Sequence, residues 1–96
     1  MHLDTIREKL KDHYTGIKDC YAVKTLELFG SCARGEAKEE SDIDILVEFT
    51  RPIDIFAFLE LEEKLSEMLG SKVDLVMRDT LKPRIKEHIL SEAVSL

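Results

Sequence analysis

Two short segments carry the residue types best suited to chemistry, Gly30-Ser31-Cys32-Ala33-Arg34-Gly35 and Asp42-Ile43-Asp44. The first follows an apolar stretch, Val23 to Phe29, that alternates like a strand. A strand that ends in Gly-Ser and turns into a short helix offers free backbone N–H groups. With the Ser31 hydroxyl, these suit phosphate oxygens. Gly30 lets a bulky anion approach the backbone, and Gly35 releases the chain from the turn. Asp42 and Asp44 stand at the start of a second strand, where the period of two puts both on one face. Carboxylates that close repel by about 4 kcal/mol at about 4 Å for an effective dielectric of about 20. A divalent cation between them reverses the sign. Mg²⁺ prefers such oxygens and usually takes one or two carboxylates together with substrate phosphates. A third acid, Asp74, interrupts the apolar run Lys72-Val73-Asp74-Leu75-Val76. A charge there needs a partner or a metal. If the third strand lies beside the second, Asp74 completes a triad with Asp42 and Asp44.

Each feature has an ordinary structural reading. A Gly-Ser turn is commonly a plain loop, an Asp-x-Asp on an edge strand a solvated face, and a lone Asp in a strand the partner of a Lys or Arg. Two other phosphate and metal motifs fail on identity. Gly30 and Gly35 have P-loop spacing, but Glu36 stands where the lysine belongs and Ala37 where Ser or Thr would bind Mg²⁺. An EF-hand starting at Asp42 would need glycine at its sixth position, which is Val47. The combination of turn, acid pair and third acid at close spacing favours a nucleotide site.

The surrounding pattern supplies elements to hold these residues. Leu3, Ile6, Leu10 and Ile17 share a helical face, giving a first helix over roughly 3–13, with Gly16 arguing against its extension. Strands are expected at Val23 to Phe29, Ile43 to Phe49 and Lys72 to Met77, and residues 30–41 read as a loop with at most one helical turn. An amphipathic helix runs from about 54 to 69 and closes at Gly70. A last helix, capped by Asp79 or Thr80 with Pro83 in its first turn, buries Ile85, Ile89 and Ala93. The expected fold is α/β (α+β), a small mixed sheet of three or more strands backed by helices. Strands two and three, joined by a helix, are candidates for parallel pairing.

At 96 residues the chain is expected to form a single domain spanning 1–96. It is 44 % hydrophobic and 35 % charged, as in a globular chain. A net charge of −6 argues against non-specific duplex DNA binding, which needs a basic footprint. It suits a small anion that brings its own Mg²⁺. No apolar run approaches a membrane span, and the charged start lacks a signal-peptide pattern, so the cytoplasm is the expected location. Cys20 and Cys32 fit neither a zinc nor a thioredoxin spacing and read as free thiols, and His2, His13 and His88 form no cluster.

The motif Gly30-Ser31-x-Ala33-Arg34-Gly35, then Ser41-Asp42-x-Asp44, with Asp74 about thirty residues on, resembles the nucleotidyltransferase superfamily of DNA polymerase beta, above all its minimal (MNT) branch. The resemblance covers nearly the whole chain. It implies a polymerase-beta-like palm with the acids at one edge. It assigns Gly30 and Ser31 to the NTP β- and γ-phosphates, Asp42 and Asp44 to two Mg²⁺ ions, and Asp74 to the metal site beside the attacking hydroxyl. It also makes Arg34, which falls in the motif, a candidate for binding the triphosphate, and Ser41 one for orienting the aspartates or capping the turn. The implied reaction moves a nucleotidyl group, AMP if the substrate is ATP, onto an acceptor hydroxyl. The family's usual companion is a HEPN-domain protein, a toxin that the MNT protein neutralises. The alternative is an antitoxin that binds nucleotide and masks its partner by contact, without catalysis.

The sequence leaves open which NTP is used and what the acceptor is. Ile53, Ile55, Phe56, Phe58 and Leu59 make the start of the middle helix apolar on more than one side. One side must pack on the sheet, and the other is a candidate surface for a homo-oligomer or a partner.

Overall fold

The computed structural model describes residues 3–30, 33 and 42–96. Ser31, Arg34 and Ser41, three of the expected nucleotide-binding residues, lie outside them, as does most of the 30–41 loop. The order is α1 (Leu3–Lys11), α2 (Tyr14–Tyr21), β1 (Val23–Phe29), β2 (Ile43–Phe49), α3 (Ile55–Leu69), β3 (Val73–Met77), a 3₁₀ turn (Arg78–Thr80), α4 (Pro83–Glu92) and β4 (Val94–Ser95). The sheet order is β3-β2-β1-β4. β1 runs antiparallel to β2 and β4, and β2 parallel to β3, so the sheet is mixed and the fold α+β.

Alternation explains the strands. Ile43, Ile45 and Val47 of β2, Leu26 and Leu28 of β1 and Val73 and Leu75 of β3 point to one face and are buried. Helices α1, α2 and α3 cover that face with Ile6, Leu10, Ile17, Tyr21, Leu61, Leu65 and Leu69, which join the strand residues in one core. Leu61, Leu65 and Leu69 recur every fourth residue along α3, and each fully buried leucine contributes about 1.5–3 kcal/mol. α3 starts where the Asp54 carboxylate accepts the Ala57 N–H at 2.8 Å and ends at Gly70 in the left-handed conformation, φ 66°.

Three expectations change. The single helix over 3–13 is instead α1 followed by a second helix, α2, which contains Gly16 at its exposed side and stops at left-handed Ala22, φ 55°. Burial of Ile17 and Tyr21 outweighs the modest helical cost of glycine. A fourth strand, β4, is within the expected three or more and adds to β1 through only two residue pairs. Neither Asp79 nor Thr80 caps α4: both belong to the 3₁₀ turn, Lys82 occupies the cap position without a side-chain bond, and the Thr80 hydroxyl donates to Met77 O at 2.8 Å. α4 has no fully buried residue, and Ile85 is 48 % exposed, because the helix lies outside the main core.

The apolar start of α3 divides. Phe58 packs on the core and meets Phe49 edge-on at 6.4 Å, whereas Ile55, Phe56 and Leu59 are exposed.

Candidate active site

Two of the three expected acids, Asp44 and Asp74, share the face of the sheet opposite the α1–α3 helices. Asp44 and Asp74 are register partners on β2 and β3, and Phe29 of β1 is the partner of Asp44 on the other side. Register partners on adjacent strands project to the same face, with Cβ atoms about 5 Å apart. Asp44 and Asp74 therefore lie side by side because their strands run parallel with 44 opposite 74. The chain makes that register obligatory: a slip of one residue would expose Val73 and Leu75 and bury Asp74. Asp42, two residues before Asp44, has the same parity.

Gly30 closes the third side. It follows Phe29 directly and has φ 73°, a conformation that residues with side chains rarely adopt. A Cβ there would collide with the Asp44 carboxylate and would stand 3.2 Å from its Cγ. The glycine thus serves two needs: the left-handed turn out of β1, and room for Asp44 against the backbone.

Asp42 takes a different partner. Its Oδ2 lies 3.8 Å from Lys72 Nζ, both side chains being largely exposed. Behind this pair the Ile43 N–H donates to Lys72 O at 2.9 Å and ties the entrance of β2 to β3. The fold brings Asp44, Asp74 and Gly30 together and keeps Asp42 at their edge. The carboxylates do not converge on one point: among the described residues no three His, Cys, Asp or Glu side chains form a group that could hold a metal ion.

Sequence reasoning missed Lys72. The signal was available, since Lys72 precedes Asp74 by two residues and so shares its face once β3 is placed beside β2. It also missed an ion-pair network further along the same face. There Arg78 Nη1 donates to Glu27 Oε1 at 3.2 Å and Glu48 Oε2 at 3.4 Å, and Lys24 reaches Glu48 Oε1 at 3.5 Å. Arg78 follows β3 directly, so the network ties all three strands that frame the acids. No helix among the described residues is long and apolar enough to cross a membrane.

The sequence pattern of the nucleotidyltransferase domain matches residues 3–96. The chain is 44 % identical over 92 residues to the protein adenylyltransferase MntA of Thermococcus cleftensis, covering 96 % of this chain and 93 % of the relative. A solved structure assigned as a candidate minimal nucleotidyltransferase superposes with a TM-score of 0.85 at 35 % identity, covering 100 % of this chain and 97 % of the other. A toxin–antitoxin crystal structure with AMP-PNP superposes with a TM-score of 0.72 at 26 % identity, covering 88 % and 70 %.

Proposed function

This chain belongs to the nucleotidyltransferase domain family, and we propose that it transfers AMP from ATP onto a hydroxyl of a HEPN-domain toxin, neutralising it. The observation that carries the reading is the pairing of Asp44 with Asp74 at the side of a glycine that no other residue could replace without displacing Asp44. Support for the nucleotide and for the toxin comes from what the similar proteins are: an adenylyltransferase and a toxin–antitoxin complex holding an ATP analogue.

The residues present fit Mg²⁺. Asp44 and Asp74 are neighbours in register and present hard carboxylate oxygens on one face, and one or two carboxylates together with substrate phosphates are a usual Mg²⁺ set. Asp44 and Asp74 would hold the metal as a pair, and Asp42, which stands with Lys72 and forms no three-acid group with them, would join only on turning from that lysine. When bound, Mg²⁺ neutralises the triphosphate and makes the acceptor hydroxyl more acidic.

The protein's own residues then orient and neutralise. By the family motif, Gly30 and Ser31 would hold the β- and γ-phosphates, Arg34 would add positive charge there, and Ser41 would orient the aspartates or cap the turn. Asp74, on the edge strand and exposed, faces the acceptor and takes its proton. The acceptor oxygen bonds to the α-phosphorus as the bond to the β-phosphate oxygen breaks, and pyrophosphate leaves.

The exposed Ile55, Phe56 and Leu59 favour a second reading, in which the domain masks its partner by contact alone. One experiment separates the two. The protein is incubated with ATP, Mg²⁺ and a HEPN-domain toxin offered as its partner, and intact masses are recorded. A gain of one or more AMP on the toxin supports transfer. Neutralisation without any mass gain supports masking.

A further inference from the structure

The outer edge of β3 is bound by side chains of α3. β3 is an edge strand, and its inward groups, those of Lys72 and Asp74, face β2. The amides of Val73 and Leu75 point outward, where an edge strand would normally meet water. Here the Val73 N–H donates to Ser66 Oγ at 3.0 Å and the Leu75 N–H to Glu62 Oε2 at 2.9 Å. Ser66 Oγ in turn donates to Glu62 O at 2.9 Å, so its proton is committed and its lone pairs face β3. Glu62 and Ser66 are four residues apart on one side of α3, the spacing that stacks two side chains along a strand. The two amides so held are those on either side of Asp74.

We infer that Glu62 and Ser66 are positioning residues: by gripping the amides before and after Asp74, they fix its carboxylate against Asp44 for metal binding. The inference rests on the function proposed above. Core burial of Val73 and Leu75 already sets the register of β3. It does not set how far the strand can rock about β2, because the neighbouring bonds lie on one edge only. The α3 side chains supply the second edge. Were they absent, water would satisfy the two amides and the strand would persist, but the Asp74 carboxylate would range over a wider space. Partners bonded directly to a metal ligand typically contribute about 10- to 100-fold in affinity, and contacts that act one step further out, through the backbone on either side of the ligand, belong at the lower end of that range.

The test uses the full chain and Mn²⁺ alone, with no nucleotide, followed by the electron-spin signal of the free ion. Amide hydrogen exchange at Val73 and Leu75 is measured in parallel. Glu62→Ala and Ser66→Ala are expected to speed exchange at these amides and to weaken Mn²⁺ binding about 10-fold. Glu62→Gln, which keeps an oxygen in place, should restore both. Met68→Ala, on the same helix but packed on the core, serves as a control for general loosening and should leave Mn²⁺ affinity within about twofold. Wild-type Mn²⁺ affinity in Glu62→Ala despite faster exchange overturns the inference. So does equal weakening in Met68→Ala. Failure of the unaltered chain to bind Mn²⁺, by contrast, overturns the proposed function itself and the positioning role with it.

Discussion

Gly30 lies against the carboxylate of Asp44 so closely that a single added methyl group would collide with it. The contact couples the turn after β1 to the carboxylate on β2 that the proposed reaction uses. Gly30→Ala meets two penalties: about 1–2 kcal/mol for a side chain in the left-handed region, and displacement of Asp44. The carboxylate can rotate away, so the fold survives while the acid leaves its place. The expected result is a urea midpoint lowered by about 1–2 kcal/mol of stability and AMP transfer reduced by more than about 10-fold, measured on the same preparation.

Lys72 and Asp42 form a pair that the proposed metal binding at Asp42 would have to open. Both side chains are largely exposed, so the pair is worth little to folding, and Lys72→Ala should shift stability by less than about 0.5 kcal/mol. Removing the cation leaves a more negative site. The Mg²⁺ concentration for half-maximal transfer should fall by about two- to fivefold at low salt, with the difference shrinking as salt is raised. A titration of rate against Mg²⁺ at two ionic strengths checks both parts.

Phe56 and Phe58 sit two residues apart on α3 with opposite fates. Phe56 is 80 % exposed, and Phe58 packs against the core and Phe49. Phe58→Ala should cost about 2 kcal/mol or more. Phe56→Ser should change stability by less than about 0.5 kcal/mol while weakening capture of the HEPN-domain protein. Chemical denaturation and co-purification with the toxin measure the two effects.

Tyr21 gives a pH signature. Burial, and then a hydrogen bond to and the charge of Glu60, raise its phenol above the ordinary value of 10.0. The folded chain therefore holds this proton more tightly than the unfolded chain. The corresponding stability is complete below pH of about 10 and is lost as pH rises through the folded value. Thermal unfolding from pH 8 to 11 should show a steeper alkaline decline in the wild type than in Tyr21→Phe.

Strong periodicity made much of this molecule legible. β1 and β2 have the bounds that alternation gave, because half of each strand packs on helices, and α3 is marked by its cap, its leucines and Gly70. What stayed hidden depends on tertiary contact. Helix α2 was obscured by Gly16, whose local cost is outweighed by burying Ile17 and Tyr21. β4 is two residues long and has no period to detect. α4 carries apolar residues at helical spacing, yet it lies where little packs on them, so pattern alone overstated its burial. For the site, the motif named Gly30, Asp42, Asp44 and Asp74, but only the β2–β3 register puts Asp44 opposite Asp74, and only backbone geometry shows Gly30 pressed on Asp44. Lys72 could have been placed by parity alone.

The most direct test of the account is the rate of labelled AMP transfer to the HEPN-domain protein across a Mg²⁺ titration, for wild type, Asp44→Asn and Asp74→Asn. Either substitution removes a charge from the paired carboxylates while keeping side-chain volume, and loss of one metal ligand should raise the barrier by several kcal/mol. The account predicts a folded protein whose transfer falls by about 100-fold or more at every Mg²⁺ concentration. Wild-type rate and Mg²⁺ dependence in Asp74→Asn would contradict it.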